Sequence, residues 1–123
     1  MCLLAGGELD DDQLKSLLRD SWSGRTSSLW SERNPSRGQC GVTALVINDH
    51  FGGEILKTRV GQSWHFYNRI GGRTLDLTSD QFLDPIEYLD LVSSREEALA
   101  DHTEDQYREL VQSFAEAIAN ARR

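Results

Sequence analysis

The sequence has no apolar run approaching the roughly 18–20 residues that span a bilayer, so it predicts no membrane-spanning helix. Basic residues are also scarce: 13 Lys and Arg stand against 20 Asp and Glu, which gives a net charge of −7. So acidic a chain lacks the electropositive footprint of nucleic-acid-binding proteins. The N-terminal stretch MCLLAGGELDDD is only briefly apolar and has no basic flank, which does not predict a signal peptide. These absences favour a cytoplasmic protein with neither a membrane nor a nucleic acid as partner.

Cysteine is scarce as well, since the chain contains only Cys2 and Cys40. Cys2 stands at a terminus, where ends fray, and the expected compartment is reducing, so a structural disulfide is not predicted. Cys40 is then a free thiol that must be either a core residue or a reactive group. The chain also lacks internal repeats and low-complexity linkers, and its 123 residues fit one domain, predicted to cover residues 1–123.

Helical periodicity marks both ends of the chain. Between Glu8 and about Trp22, the residues Leu14, Leu17, Leu18 and Trp22 recur at helical spacing and predict a helix, with Asp10 or Asp11 as its cap. A polar, turn-rich loop is predicted over residues 25–38. Near the C-terminus, two capping boxes precede a long helix with an apolar stripe. The boxes are Ser94 with Glu97 and Thr103 with Gln106, and the stripe is Tyr107, Leu110, Val111, Phe114, Ala117 and Ile118.

The middle of the chain predicts a buried helix followed by a small sheet. The run QCGVTALVINDHF is apolar nearly all round and is followed by Gly52-Gly53, which favours a buried helix that stops there. Its β-branched residues leave a strand as the alternative. The runs EILKTRV, WHFYNRI and RTLDL have strand composition, and TSDQFLDPIEY predicts a turn with a short helix and a proline break. The order of elements predicts an α+β domain with an antiparallel sheet.

The last two strands carry a register that can be read from the sequence. With Gly71-Gly72 as a two-residue hairpin loop, Tyr67 faces Asp76. One face of the hairpin then carries the apolar residues Trp64, Phe66, Ile70, Leu75 and Leu77, and the other carries His65, Tyr67, Arg69 and Asp76. Because diagonal neighbours on one face lie within reach of long side chains, Asp76 is expected to contact and orient the His65 imidazole.

Cys40 completes a set of residues that suits nucleophilic catalysis. It is predicted in the first turn of the buried helix, where the helix N-terminus and a nearby imidazole favour the thiolate. The order Cys40, His65, Asp76, with the thiol on a helix and its partners on adjacent strands, is that of papain-like and transglutaminase-like cysteine enzymes. The sequence therefore predicts a papain-like minimal core with a Cys-His-Asp triad and flanking helices.

A narrower resemblance rests on several motifs between Ser21 and Phe82. The stretches DSWS, WSERNPSRGQCGVTALVINDHFGGEI, HFYNRI and DLTSDQF resemble the small bacterial YunG-like proteins. This resemblance implies a shared fold more than a reaction, and it carries over the cysteine, histidine and aspartate at Cys40, His65 and Asp76.

The likeness to papain-like enzymes also implies an oxyanion site. Those enzymes use a glutamine six residues before the cysteine, and here Asn34 holds that position while Gln39 precedes Cys40 directly. Either side chain is a candidate donor beside the backbone N–H of Cys40. Trp64 and Tyr67 are candidates for the wall of a substrate cleft.

The predicted function is cysteine-dependent acyl transfer through a thioester, as an amidase, peptidase or acyltransferase. No cofactor is expected, and the expected substrate is a small-molecule or side-chain amide or a thioester, since so small a domain offers little surface for extended peptides. A non-catalytic binding or assembly module on the same scaffold is the alternative, and a homodimer through the C-terminal stripe is left open. A zinc site at Cys40, His50, His65 and Asp76 is disfavoured, because the close ligand pairs of structural zinc sites are absent.

Overall fold

The computed structural model describes residues 2–4 and 7–121, with side chains from Leu9 onward. The elements in chain order are β1 (Cys2–Leu4), β2 (Gly7–Leu9), α1 (Asp11–Ser21), α2 (Cys40–Phe51), β3 (Glu54–Val60), β4 (Ser63–Ile70), β5 (Arg73–Leu75), a short 3-10 turn (Ser79–Gln81), β6 (Leu91–Val92), α3 (Arg95–Ala100) and α4 (Glu104–Ala121). The predicted α+β class with an antiparallel sheet is confirmed. No helix among the described residues has both the length and the apolar character to cross a membrane.

Helix α1 begins at Asp11, which confirms Asp10, one of the two predicted cap residues. Asp10 caps it, accepting from the Gln13 N–H at 2.8 Å, while the Gln13 side chain accepts from the Asp10 N–H at 2.9 Å. This reciprocal box fixes the start of the helix more strongly than the apolar spacing does. The residues before it, Gly7–Leu9, instead pair with β1 as an antiparallel strand.

Helix α2 is the buried centre of the fold, as predicted. Every residue from Cys40 to Ile47 is buried, and the helix contributes to both apolar clusters of the core. It ends where Gly52 and Gly53 adopt φ values of 71° and 77°, a region that strongly favours glycine. A Cβ at Gly53 would also collide with the carbonyl oxygen of Arg69 on β4. The glycine pair therefore lets the chain turn closely against the sheet.

The main sheet has the strand order β5-β4-β3-β6, with antiparallel pairing throughout. The predicted hairpin register is confirmed, because Ile70 pairs with Arg73 and Asn68 pairs with Leu75. Strand β5 ends at Leu75, so Asp76 continues its line just beyond the ladder. The edge strand β6 was not predicted from the sequence.

The two ends of the chain meet on α2. Helices α1 and α4 pack against each other and against α2 through a cluster centred on Leu14, Leu18, Leu110 and Phe114, all fully buried. The predicted apolar stripe of α4 is correct except at Val111, which is 38% exposed. The other face of α2 packs on β3 and β4, where Ala44 and Leu45 form a second apolar cluster with Ile55 and Phe66. The N-terminus of α2 is thereby fixed beside the first residues of β4.

Candidate active site

A cleft of about 520 Å³ opens at the N-terminus of α2. Its walls come from the loop before α2, the start of β4, the segment after the 3-10 turn and the connection between α3 and α4. The residues that matter for chemistry are Cys40, Trp64, His65, Phe82, Asp101 and His102. The cleft therefore brings together two of the three predicted triad residues, Cys40 and His65, with Asp76 directly behind the histidine.

Cys40 is the first residue of α2 and is 8% exposed. The sequence predicted a thiol whose thiolate form is favoured, and this part of the prediction is wrong. Burial, followed by the negative charge of Asp101, raises the pKa of the Cys40 thiol from 9.0 to about 12. The backbone N–H groups of Phe66 and Gly41 face the sulfur and oppose this increase without cancelling it. Cys40 is thus a neutral thiol in the free protein.

This thiol gives the folded state a measurable sensitivity to alkali. Because the folded pKa lies above the unfolded value, the stabilising effect of the bound proton is complete below pH 9 and is lost as the pH rises towards 12. Relative to Cys40→Ala, the wild type should lose about 1 kcal/mol of unfolding free energy by about pH 10. Urea unfolding of both proteins across this range measures the difference. A difference that stays constant with pH would contradict the assignment.

His65 and Asp76 form the contact that the hairpin register predicted. The His65 Nε2 lies 2.7 Å from Asp76 Oδ2, and both side chains are buried, at 1% and 6% exposed. Asp76 is held in turn by the Tyr88 hydroxyl, which donates to Oδ2 at 2.7 Å, and by the Thr78 N–H, which donates to Oδ1 at 3.1 Å. Because an ionised carboxylate only accepts hydrogen bonds, it orients the ring with the hydrogen on Nε2.

The opposite nitrogen of the ring is thereby left as an acceptor. The His65 Nδ1 is buried and has no hydrogen-bond partner among the described residues. Phe82 packs edge-on against the ring at 5.0 Å between centroids and helps to fix its orientation. An imidazole held in this way, with Nδ1 as an acceptor, is equipped to take up a proton from a group in the cleft.

Asp101 is a site residue that sequence reasoning missed. It directly follows α3, and its Oδ2 lies 3.8 Å from the Cys40 sulfur. Loss of solvent around the carboxyl group raises the pKa of Asp101, whereas Cys40, the Gly41 N–H and the field of His65 oppose the rise. The sequence signal was Gly41, since a glycine in the first turn of a buried helix indicates a close approach. A Cβ at Gly41 would lie 2.8 Å from the Asp101 Cβ.

Neither predicted oxyanion side chain lines the cleft. Asn34 lies on a separate depression, and its Nδ2 donates to the Gln81 carbonyl oxygen at 3.2 Å. Gln39 is fully buried, and neither end of its amide has a partner among the described residues. As the residue preceding Cys40, Gln39 directs its side chain into the interior instead of towards the sulfur. The backbone N–H groups at the start of α2 are therefore the available donors.

Of the two predicted wall residues, only Trp64 lines the cleft. Its ring is covered on the outside by Lys57 and Arg59, at 4.3 and 4.2 Å from the centroid. Tyr67 is buried on the sheet, where its hydroxyl donates to Asp90 Oδ1 at 2.7 Å and accepts from the Asp90 N–H at 2.8 Å. Tyr67 thus holds the segment before β6 in place; its ring stacks on that of His65 at 6.1 Å between centroids, but it does not line the cleft.

The alternative zinc ligands do not converge. His50 lies at the far end of α2, where its ring packs edge-on against Phe114 at 5.1 Å between centroids. Within the part of the chain that the structure describes, no group of three or more His, Cys, Asp or Glu side chains is placed to hold a metal ion.

Together, the fold and the cleft define a small α+β protein in which a buried thiol and a carboxylate-held imidazole line the same cleft. The chain belongs to the YunG family, whose sequence profile matches residues 10–119. The resemblance read from the motifs between Ser21 and Phe82 is confirmed and extends over most of the chain. A similar protein of Bacillus subtilis (strain 168), called "Uncharacterized protein YunG", is 58% identical over 104 residues, which cover 85% of this chain and 90% of the relative. No solved structure matches the chain significantly.

Proposed function

We propose that this protein is a cysteine-dependent acyl-transfer enzyme that uses Cys40 as nucleophile, His65 as general base and Asp76 as the group that orients the histidine. One observation carries the proposal. The buried His65 is held through Nε2 by Asp76, while its Nδ1 has no partner among the described residues and the ring shares a cleft with a buried thiol. In the proposed assignment, the arrangement is the papain-like or transglutaminase-like one, with the thiol on a helix and its partners on neighbouring strands.

The proposed mechanism starts from a neutral thiol, because the pKa of Cys40 is raised to about 12. The His65 Nδ1 takes the thiol proton as the sulfur attacks the substrate carbonyl, so general-base catalysis replaces a preformed thiolate. Asp76 stabilises the positive charge that develops on the ring. Backbone N–H groups at the start of α2 stabilise the oxyanion. His65 then gives its proton to the leaving amine, and water or a second amine resolves the Cys40 thioester.

The dimensions of the cleft favour a small substrate. A volume of about 520 Å³ accommodates a small molecule or one protruding side chain. Trp64 and Phe82 contribute apolar surface to the lining of the cleft. The proposed substrate is accordingly a small amide, a thioester or a side-chain amide, without nucleic acid or membrane as partner. A reducing compartment such as the cytoplasm belongs to the proposal, because the reaction requires a free thiol.

Trapping the acyl intermediate tests this function directly. In a Cys2→Ser background, p-nitrophenyl acetate should transfer one acetyl group to the protein, and peptide mapping by mass spectrometry should locate it on Cys40. The matched control is Cys40→Ala in the same background, which should take up no acetyl group at that position. Acetylation of Cys40 no faster in the native protein than in the urea-unfolded protein at the same pH would overturn the proposal.

A non-catalytic binding or assembly module is the second candidate, and the raised pKa of Cys40 is the observation that favours it. A thiol that stays protonated at neutral pH is a poor nucleophile unless a base assists it. Under this alternative, Cys40 would be a core residue and His65 a structural histidine of the sheet, held by Asp76. The acetylation experiment separates the two, since only the enzyme requires native Cys40 to react faster than the unfolded thiol. Homodimer formation accords with either function, and sedimentation measures it.

A further inference from the structure

We propose that Asp101 is the subsite for a positively charged group of the substrate, an ammonium or a guanidinium, bound next to Cys40. The inference rests on the proposed function and names the substrate class of that same cleft. The substrate it implies is an amide or thioester that carries a cationic group close to the reacting carbonyl.

The first support is the position of the carboxylate. Asp101 Oδ2 lies 3.8 Å from the Cys40 sulfur, and the residue is exposed at the cleft. Gly41 makes this approach possible, because any side chain there would meet the Asp101 carboxyl group. The carboxylate therefore stands among the reacting atoms.

The second support is the missing countercharge. No lysine or arginine among the described residues forms an ion pair with Asp101, although lysine and arginine form nine ion pairs elsewhere in that part of the chain. Arg37 also lines the cleft but does not reach Asp101. The Asp101 carboxylate has about four acceptor sites, and its contact with the first turn of α2 uses only some of them. The carboxylate retains the capacity to bind a cation from solution.

This subsite would couple recognition to reactivity. The negative charge of Asp101 disfavours the thiolate of Cys40. A bound ammonium offsets that charge at the same distance, so proton transfer to His65 becomes easier only when a cationic substrate is present. Cys40 should therefore react with a neutral acyl donor through His65 alone, and faster still with a cationic one.

The geometry also limits where the cation can sit on the substrate. A charge-assisted hydrogen bond of about 2.8 Å from Oδ2 places the cationic nitrogen within about 6–7 Å of the sulfur. The reacting carbonyl carbon must itself approach the sulfur to about 3–3.5 Å. An ammonium on any of the first few carbons beside the carbonyl satisfies both distances, a substrate class that includes α-aminoacyl amides and thioesters.

Charged thiol reagents test the subsite without a known substrate. In the Cys2→Ser background, Cys40 is modified with cationic aminoethyl methanethiosulfonate and with anionic sulfonatoethyl methanethiosulfonate. Each rate is normalised to that of a small free thiol. The ratio of the normalised rate with the cationic reagent to that with the anionic reagent should be about ten-fold lower in Asp101→Asn than in the parent protein. The matched control is Asp105→Asn, which removes the same charge from a side chain that is 94% exposed on α4, and its ratio should change less than about two-fold.

The outcomes separate this inference from the proposed function. Equal ratios in Asp101→Asn and Asp105→Asn would overturn the subsite, because long-range charge alone would then explain the preference. Asp101→Ser is the second variant, since serine can still accept a hydrogen bond at the helix N-terminus, and its ratio should match that of Asp101→Asn. The charge ratio does not require His65 to act as a base. If the ratio falls in Asp101→Asn as expected but acetylation does not depend on His65, the subsite is retained and the proposed enzymatic function is rejected.

Discussion

Replacing His65 with alanine should slow acetylation of Cys40 by p-nitrophenyl acetate about 100-fold, the lower end of what a positioned base contributes. The effect should be large because the pKa of Cys40 is raised to about 12, so little thiolate exists at neutral pH and the reaction depends on proton transfer to the ring. The measurement is the rate of acetyl uptake by intact-protein mass spectrometry in the Cys2→Ser background.

Two further variants separate loss of the base from loss of structure. His65→Gln keeps a donor for Asp76 but cannot act as a base, and it should be as slow as His65→Ala. His50→Ala removes a histidine at the opposite end of α2 and should react at the wild-type rate. An acetylation rate in His65→Gln equal to that of the parent protein would exclude His65 as the general base.

Truncating Phe114 to alanine should destabilise the protein by about 3–5 kcal/mol, the usual cost of removing a buried aromatic ring. Phe114 is fully buried where α4 joins α1 and α2, and the His50 ring packs edge-on against it. The loss leaves a cavity at the contact that attaches α4 to the rest of the core. Urea unfolding monitored by circular dichroism gives the difference in free energy.

Val111 offers the matched control on the same helix. It belongs to the apolar stripe predicted from the sequence but is 38% exposed, so Val111→Ala should cost much less than Phe114→Ala. Similar losses for the two variants would mean that α4 does not pack on the core as described. The stable Val111→Ala protein should also keep the Cys40 acetylation rate, because α4 meets the cleft only at its first residues.

Local patterns in the sequence predicted those features that depend on neighbouring residues. The two-residue loop Gly71-Gly72 fixes the pairing of β4 with β5, and that pairing sets which side chains share a face. The contact between His65 and Asp76 follows directly from it. The start of α1 is local in the same way, since aspartate is a favoured cap residue and the reciprocal contact of Asp10 with Gln13 selects it over Asp11.

Other features escaped the sequence because irregular segments position them. Neither β6 nor the path of residues 82–90 has a periodic pattern, yet this segment places Tyr88 on Asp76 and Asp90 on Tyr67. The oxyanion candidates Asn34 and Gln39 were chosen by their distance from Cys40 along the chain. That distance does not determine which way a side chain points at the entrance to a helix.

The sequence by itself determined the α+β class, the buried helix that begins at Cys40 and the face shared by His65 and Asp76, because periodicity and a tight turn are local properties. Only the tertiary structure decided the chemical state of the thiol. Burial and Asp101 raise the pKa of Cys40, and Asp101 lies 61 residues away along the chain. Such a contact arises when α3 packs against α2, and Coulomb interactions depend on distance in space rather than on position in the sequence.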